Sequence, residues 1–548
     1  MPENPPANPP ANLRDTSLLH LTRHFFRRFF ENDIIQSGQD TQTTVIRALS
    51  AVAAPGLMFA FWLQNQYVRR TSWGRVEDEY FFVMFSFVVM AAVAIFEWEM
   101  LFPDRLDFLV LTPLSLPTWQ MPAAKVIALA MFLGLFVIAS SIFGDLMLPA
   151  VTADHLFRQI AAQTLATLSA GVAGAAGIML LGGILLCVLP LNLFRSVSLI
   201  FRMLAVTALG LIVIHYARFG DAMQPLLTNP SAPTLRWLPT FWFLGLYQTL
   251  QHGAAAPAFA APMAHRASLA LALIAAGLLV IYPLAWTRMR RLAIEDQPTR
   301  AHTLPAFTRG AIHALIRSPQ QRAIFHFIGQ TIARNTRYQV YMALYFGAGL
   351  ALAISCATHV TTVRGVPHAA LSTFGLHAVM PLLVFWTIAG LKLAFAFPLQ
   401  LGAAWIFRTT GAPLPTCVRA VRKWVLGCGL AVVLAVAATL AFLRCTPRDL
   451  AVQTICGICL CALLVEGLFF EQATIPFSQP RRPGRTQMPL MLTLHLGVLA
   501  PFVFLMILLE LRIERTLPLL LLPIALVPAV HWVAEQLRDR AVLIEEER

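Results

Sequence analysis

The sequence predicts an all-α polytopic membrane protein of about 12 transmembrane helices, arranged as two parallel six-helix repeats. Three observations predict it. Charged residues make up 12% of the 548 residues, about half the roughly 25% usual in soluble domains. Apolar types reach 58% and mean hydropathy is +0.68, more apolar surface than soluble cores can hide. Short motifs also recur at the same station in both halves of the chain. A soluble enzyme, a disordered scaffold and a nucleic-acid-binding domain are excluded. The net charge of +14 lies in clusters between apolar runs, where basic residues orient membrane spans.

In chain order, residues 1–17 form a Pro-rich tail, expected to be extended and disordered. The tail lacks the basic region followed by an apolar stretch that marks a signal peptide. Apolar runs of about 20 residues cross the ~30 Å hydrocarbon layer as helices. Such runs fall at 44–63, 80–101, 125–147, 163–188, 198–216 and 267–287, then at 340–357, 376–396, 424–443, 450–470, 489–510 and 516–534. With the N-terminus inside, the clusters Arg27-Arg28, Arg288 to Arg291, Arg419 to Lys423 and Arg481 to Arg485 all fall on the cytoplasmic side. Both termini are therefore expected to be cytoplasmic. The division is a tail at 1–17, a six-span unit at 18–290, a cytoplasmic linker and connecting helix at 291–338, and a second unit at 339–548.

The repeat rests on matched stations. Phe102-Pro103 follows span 2 and Phe397-Pro398 follows span 8; Leu116-Pro117-Thr118 answers Leu414-Pro415-Thr416. An aromatic, basic amphipathic stretch precedes each half, at His24 to Phe30 and at Arg322 to Phe327, continuing to Arg337. Six spans per half make the repeats parallel.

The segment 104–122 between spans 2 and 3 is too short to cross and too apolar to float. A short helix ended by Pro113 would carry Asp104, Arg105 and Asp107 on its first turn, where acidic groups suit the helix dipole. Its counterpart at 399–418 holds Trp405, Phe407 and Arg408. Either stretch is an interfacial helix on the headgroups or a docking helix for a cytoplasmic partner. Between spans 5 and 6, Trp237, Trp242 and Tyr247 mark an outer, shallow or re-entrant interfacial element.

Ionisable residues at membrane depth are functional candidates. Glu97 and Lys392 occupy equivalent positions, each five residues before its Phe-Pro, and form a candidate inner-gate ion pair. Snorkelling to the headgroups is the plainer alternative. Asp145 and Glu510 read as solvated at outer span ends, and Arg202 as snorkelling inward. The acidic run Glu77-Asp78-Glu79 beside Arg75 reads as a solvated loop. Most of the 8 cysteines lie in apolar segments, so Cys456 and Cys459 read as core packing. The pair His20 and His24 has no carboxylate to complete a metal set, and no metal or catalytic residue is assigned.

These stations, in this order, resemble the permeases of ATP-binding cassette (ABC) exporters of type 2. In the first half, FPDRLDFLVLTPL followed by PAAK, and the run WFLGLYQ, look like bacterial members. The second half departs, since the short link from Arg512 to Pro518 leaves little room for a re-entrant element. The resemblance implies two permease units fused in one chain of the bacterial inner membrane, with cytoplasmic coupling helices at Asp104, Arg105 and Asp107 and at Trp405 and Arg408. It also implies two copies of a cytoplasmic ABC ATPase subunit carrying ATP-Mg, and an exported, amphipathic substrate. The chain itself holds no P-loop: none of Lys125, Lys392 and Lys423 follows a glycine. A secondary transporter of 6+6 spans and a membrane-embedded enzyme acting on lipid-linked substrates are the alternatives. Against the first, Asp104-Arg105 lacks the glycines of the major-facilitator motif, and few buried carboxylates are evident for proton coupling.

Overall fold

A computed structural model describes residues 11–30, 41–66, 71–101, 105–111, 113, 117, 119–152, 155–219, 223–228, 237–294, 316–363, 366–395, 414–443, 445–470, 476–477 and 488–546. The first helices are α1 (Ala11–Phe30), α2 (Thr41–Gln66), α3 (Ser72–Phe96), α4 (Trp98–Leu101), α5 (Arg105–Leu111) and α6 (Gln120–Thr152). Then come α7 (Leu156–Val188), α8 (Leu191–Phe219), α9 (Met223–Thr228), α10 (Pro239–His252), α11 (Ala260–Ile294), α12 (Pro319–Arg334) and α13 (Thr336–Ala357). A hairpin, β1 (Thr358–Val363) and β2 (Val366–Leu371), precedes α14 (Thr373–Phe395), α15 (Leu414–Phe442), α16 (Pro447–Leu468), α17 (Met488–Arg515) and α18 (Leu521–Glu546). That hairpin is the one departure from all-α structure among the described residues.

Among the described residues, 12 helices are long and apolar enough to cross a membrane: α2, α3, α6, α7, α8, α11 and α13 to α18. Each falls where hydropathy places a span. The prolines inside them, such as Pro55, Pro283 and Pro501, are tolerated because neighbouring groups in a bundle re-satisfy the freed backbone. The start of α3 differs from the hydropathy reading. Thr71 caps it, its hydroxyl accepting the Gly74 N–H at 3.1 Å, so the helix begins before the apolar run and takes in Glu77, Asp78 and Glu79.

The chain divides into two compact units. One comprises Met1–Ser198, His215–Thr299 and Thr362–His368; the other comprises Leu199–Ile214, Arg300–Thr361 and Ala369–Arg548.

In the first unit, α3 lies against α7. Ser86 Oγ donates to the Thr167 carbonyl at 2.9 Å, Gly174 faces the Phe87 carbonyl, and Gly182 faces Trp98. These pairs advance together along both helices, so the two run parallel. Ala162, Ala166, Ala170 and Ala173 line the buried face of α7. Lipid tails supply no hydrophobic drive between spans, and small residues let backbones approach closely enough for dispersion to hold them. The amphipathic α1 packs Leu21, Phe25 and Phe29, spaced by one turn, onto α6. Phe29 stacks on Phe132 at 4.8 Å. Its other face exposes His20, Arg23, His24 and Arg27, which line an open cavity, as suits a helix lying among headgroups.

The second unit is built around α14, the most deeply buried span. Its Trp386 Nε1 donates to the Tyr345 carbonyl of α13 at 2.8 Å, and the two rings stack at 4.6 Å. Gly349 and Gly390 make room for these rings. On α12, Ile324 and Ile328 pack against α15. The middle of α8 belongs here too, Thr207 Oγ1 donating to the Gly347 carbonyl at 3.0 Å. Cys459 and Cys461 are buried in α16, and all eight cysteines are free thiols. Between α17 and α18 the chain makes only the 3₁₀ turn Leu517–Leu520, so these spans enclose no re-entrant element.

Candidate functional site

The short helix expected after span 2 is α5, ending at Leu111 ahead of Pro113. Asp104, Trp405 and Arg408 lie outside the described residues, as does the side chain of Arg105, which opens α5. Asp107 is described, and its carboxylate turns inward. Lys125 Nζ of α6 reaches Asp107 Oδ2 at 3.1 Å with both side chains 3% exposed, and Arg28 of α1 pairs with Oδ1. Lys125 also stands 5.3 Å over the Phe25 ring. Ser17 Oγ donates to Gln120 Oε1 at 2.9 Å, and Phe108 meets Trp286 of α11 edge-on at 5.6 Å. One carboxylate thus ties α1, α5 and α6 together. Two charges buried at this depth are tolerable because each has the other within hydrogen-bonding range.

Glu97 is the C-cap of α3, its N–H donating to the Val93 carbonyl at 2.9 Å, and its side chain is buried. Lys392 sits half-buried in the last turn of α14. Glu97 belongs to the first unit and Lys392 to the second.

At the opposite end of the first unit from α1 and α5, the aromatic element is α10. Pro239 starts it and Gly253, at φ +59, ends it, a conformation that favours glycine. Trp237 is 82% exposed, as an interfacial anchor would be, and Trp242 is half-buried. Tyr247 of the same element is wholly buried against α7, where Gln159 Nε2 donates to its hydroxyl at 3.4 Å.

The acidic run is a second correction. Glu77, Asp78 and Glu79 lie in the helix, not in a solvated loop. Asp78 is 0% and Glu79 9% exposed. Glu79 Oε2 accepts from Gln248 Nε2 of α10, and Tyr247 also bonds its carboxylate. Next to it, Tyr80 Oη and Thr240 Oγ1 are 2.8 Å apart, both wholly buried. Asp145, read as solvated, is buried in α6 and accepts from Thr167 Oγ1 of α7 at 2.9 Å. Arg202 is likewise buried.

Two polar clusters in the second unit were missed. Glu466 of α16 gathers Arg422 of α15 at 3.2 Å, Arg538 of α18 at 2.6 Å and His531 Nδ1 at 2.8 Å. A carboxylate inside the apolar run 450–470 was the available signal. Elsewhere, His377 Nδ1 of α14 stands 2.9 Å from Gln453 Nε2, 3.5 Å from Glu510 Oε2 and 3.6 Å from Glu514 Oε1. Glu510 is therefore buried and partnered, not solvated. Among the described residues no group of three or more His, Cys, Asp or Glu is placed to hold a metal ion.

These features define a polytopic, predominantly helical membrane protein with buried polar clusters near the ends of its spans. Models of known families, curated proteins and solved structures include no match to this chain.

Proposed function

We propose that the chain is the transmembrane permease subunit of an ABC exporter, two six-span units in one polypeptide, coupled to separate cytoplasmic ATPase subunits that carry ATP-Mg. The observation that carries this reading is the joining of α1 to α5 through Arg28 and Asp107, with Lys125 tying both to α6. An in-plane helix fused to the short helix between spans 2 and 3 makes one stiff element. A partner that moved α5 would thereby move α1 and α6 with it. The order of elements adds support: amphipathic α1, spans α2 and α3, short α5, spans α6 to α8, the aromatic α10 and span α11. The second half opens on its own amphipathic helix, α12. On this reading both termini face the cytoplasm of a bacterial cell and an amphipathic cargo leaves the cell.

Purification of the native chain in mild detergent, followed by an ATPase assay and identification of co-purifying subunits, tests the proposal. An ATPase that remains bound to the wild-type chain is the expected result. Active transport in vesicles holding this chain and no ATPase would overturn it.

A secondary transporter is the second reading, favoured by one observation: Asp78, Glu79, Asp145 and Glu510 are buried carboxylates within spans, the residue type that ion-coupled transport uses. Transport driven by an imposed ion gradient would select it.

A further inference from the structure

The face of α1 turned away from α6 carries a run of basic residues. His20, Arg23, His24 and Arg27 recur at intervals of three and four, so they share one side of the helix. All four are exposed, and together they line a cavity of about 350 Å³. None has an acidic partner among the described residues: the carboxylate of Asp107 is taken by Arg28, on another side of α1, and by Lys125. Arg23 and Arg27, one turn apart, repel each other, as like charges at this spacing do. An anion among them relieves that repulsion.

The opposite face fixes where the cavity stands. Leu21, Phe25 and Phe29 pack on α6. The span in α6 is Gln120–Ala150, 31 residues, or about 46 Å at ~1.5 Å per residue, against ~30 Å of hydrocarbon. Its polar start, where Ser17 bonds Gln120 at 2.9 Å and Asp107 meets Lys125 at 3.1 Å, is an end that emerges from that layer. Because α1 packs on this end, its basic face stands at the level of the headgroups. Leu19, next to His20 and one turn before Arg23, is 68% exposed. A soluble anion has no use for an apolar neighbour, whereas a phospholipid brings a phosphate and an acyl chain together.

We propose that this cavity binds the headgroup of an anionic phospholipid of the bilayer, Arg23 and Arg27 donating to its phosphate, His20 and His24 donating beside them, and an acyl chain covering Leu19. A guanidinium fork matches phosphate oxygens in pairs, and an imidazole has an N–H to donate in either charge state. A zwitterionic lipid brings its own ammonium, which a basic cavity repels, so the site selects anionic lipids. Clustered basic residues on an amphipathic helix attract them through the negative surface potential as well. A lipid held here also bears on α5 and α6, because Arg28 of the same helix pairs with Asp107 and Lys125 reaches the same carboxylate. The site stands on the geometry of the first unit and does not depend on the ATPase reading.

The test is the melting temperature of the full chain in detergent, titrated with phosphatidylglycerol, with phosphatidylcholine of the same acyl chains, or with inorganic phosphate, at equal ionic strength and pH. A saturable rise in Tm with phosphatidylglycerol, absent with the other two, is expected, since a ligand bound only by the native state raises Tm by mass action. The double variant Arg23→Gln, Arg27→Gln keeps a good helix former at both exposed positions. It should need on the order of tenfold more phosphatidylglycerol while melting no lower than the wild type in phosphatidylcholine. Arg290→Gln with Arg291→Gln removes the same charge from exposed positions on α11 that line no part of the cavity, and should keep the full response. Equal Tm in the two lipids, an equal rise with inorganic phosphate, or an equal loss in both double variants would each overturn the site.

Discussion

Lys125 and Asp107 face one another in a buried salt bridge, Nζ to Oδ2 at 3.1 Å, with Arg28 on the carboxylate's other oxygen. Removing one member strands the other's charge. Asp107→Ala is expected to destabilise by about 3–5 kcal/mol, the range for breaking a buried pair. The double variant Asp107→Leu, Lys125→Met should recover most of that loss, because apolar groups replace a pair that gains little net energy. Thermal unfolding in detergent checks both. On the permease reading, Asp107→Ala also loosens α5 from α1 and lowers the amount of ATPase co-purified.

Glu466 is the hub of three basic partners, and their burial ranks their importance. Arg422 is 8% exposed at its side chain, while His531 is 54% exposed. Glu466→Ala, which leaves Arg422 buried without its carboxylate, should cost about 3–5 kcal/mol. His531→Ala removes only a solvent-screened contact and should cost under about 1 kcal/mol. Equal losses in thermal unfolding would refute that ranking.

Gly174 and Gly177 lie less than one turn apart on α7 but differ in what surrounds them. A Cβ on Gly174 would fall 2.5 Å from the Phe87 carbonyl, which is backbone and cannot step aside, whereas at Gly177 the nearest atom is Ile274 Cδ1 at 3.9 Å. Gly174→Ala must part α3 from α7 and is expected to cost about 1–3 kcal/mol. Gly177→Ala should leave Tm unchanged or raise it, since alanine is the better helix former.

Tyr80→Phe keeps the stacked ring on Phe241, 4.4 Å away, and deletes only the bond to Thr240. The Thr240 hydroxyl is then buried without this partner, at a cost of about 1–3 kcal/mol. Valine at 240 in the same chain should return part of it, and a double-mutant cycle measures the coupling.

The spans were legible because hydropathy is a local property: about 20 apolar residues suffice to cross a bilayer whatever they pack against. The amphipathic α1 was legible for a similar reason, its turn-spaced Leu21, Phe25 and Phe29 declaring one apolar face. The short α5 followed from Pro113, which no helix continues through without losing a bond. The β1–β2 hairpin was not legible, since Val366-Pro367 interrupts any simple alternation and pairing depends on the facing strand.

Side-chain environment was another matter. The same charge pattern reads as solvated or buried according to what arrives from far along the chain. Glu79 is covered by Gln248, 169 residues away, and Asp107 is met by Arg28, 79 residues back. By itself the sequence determined the class of protein, the twelve helices among the described residues that are apolar and long enough to span a membrane, and the amphipathic α1, because these follow from composition and period over one or two dozen residues. Only the tertiary structure decided which charges are buried and that Asp107 holds α1, α5 and α6 together. Burial and hydrogen bonding are set by the packing of distant helices, and no local window of sequence contains that packing.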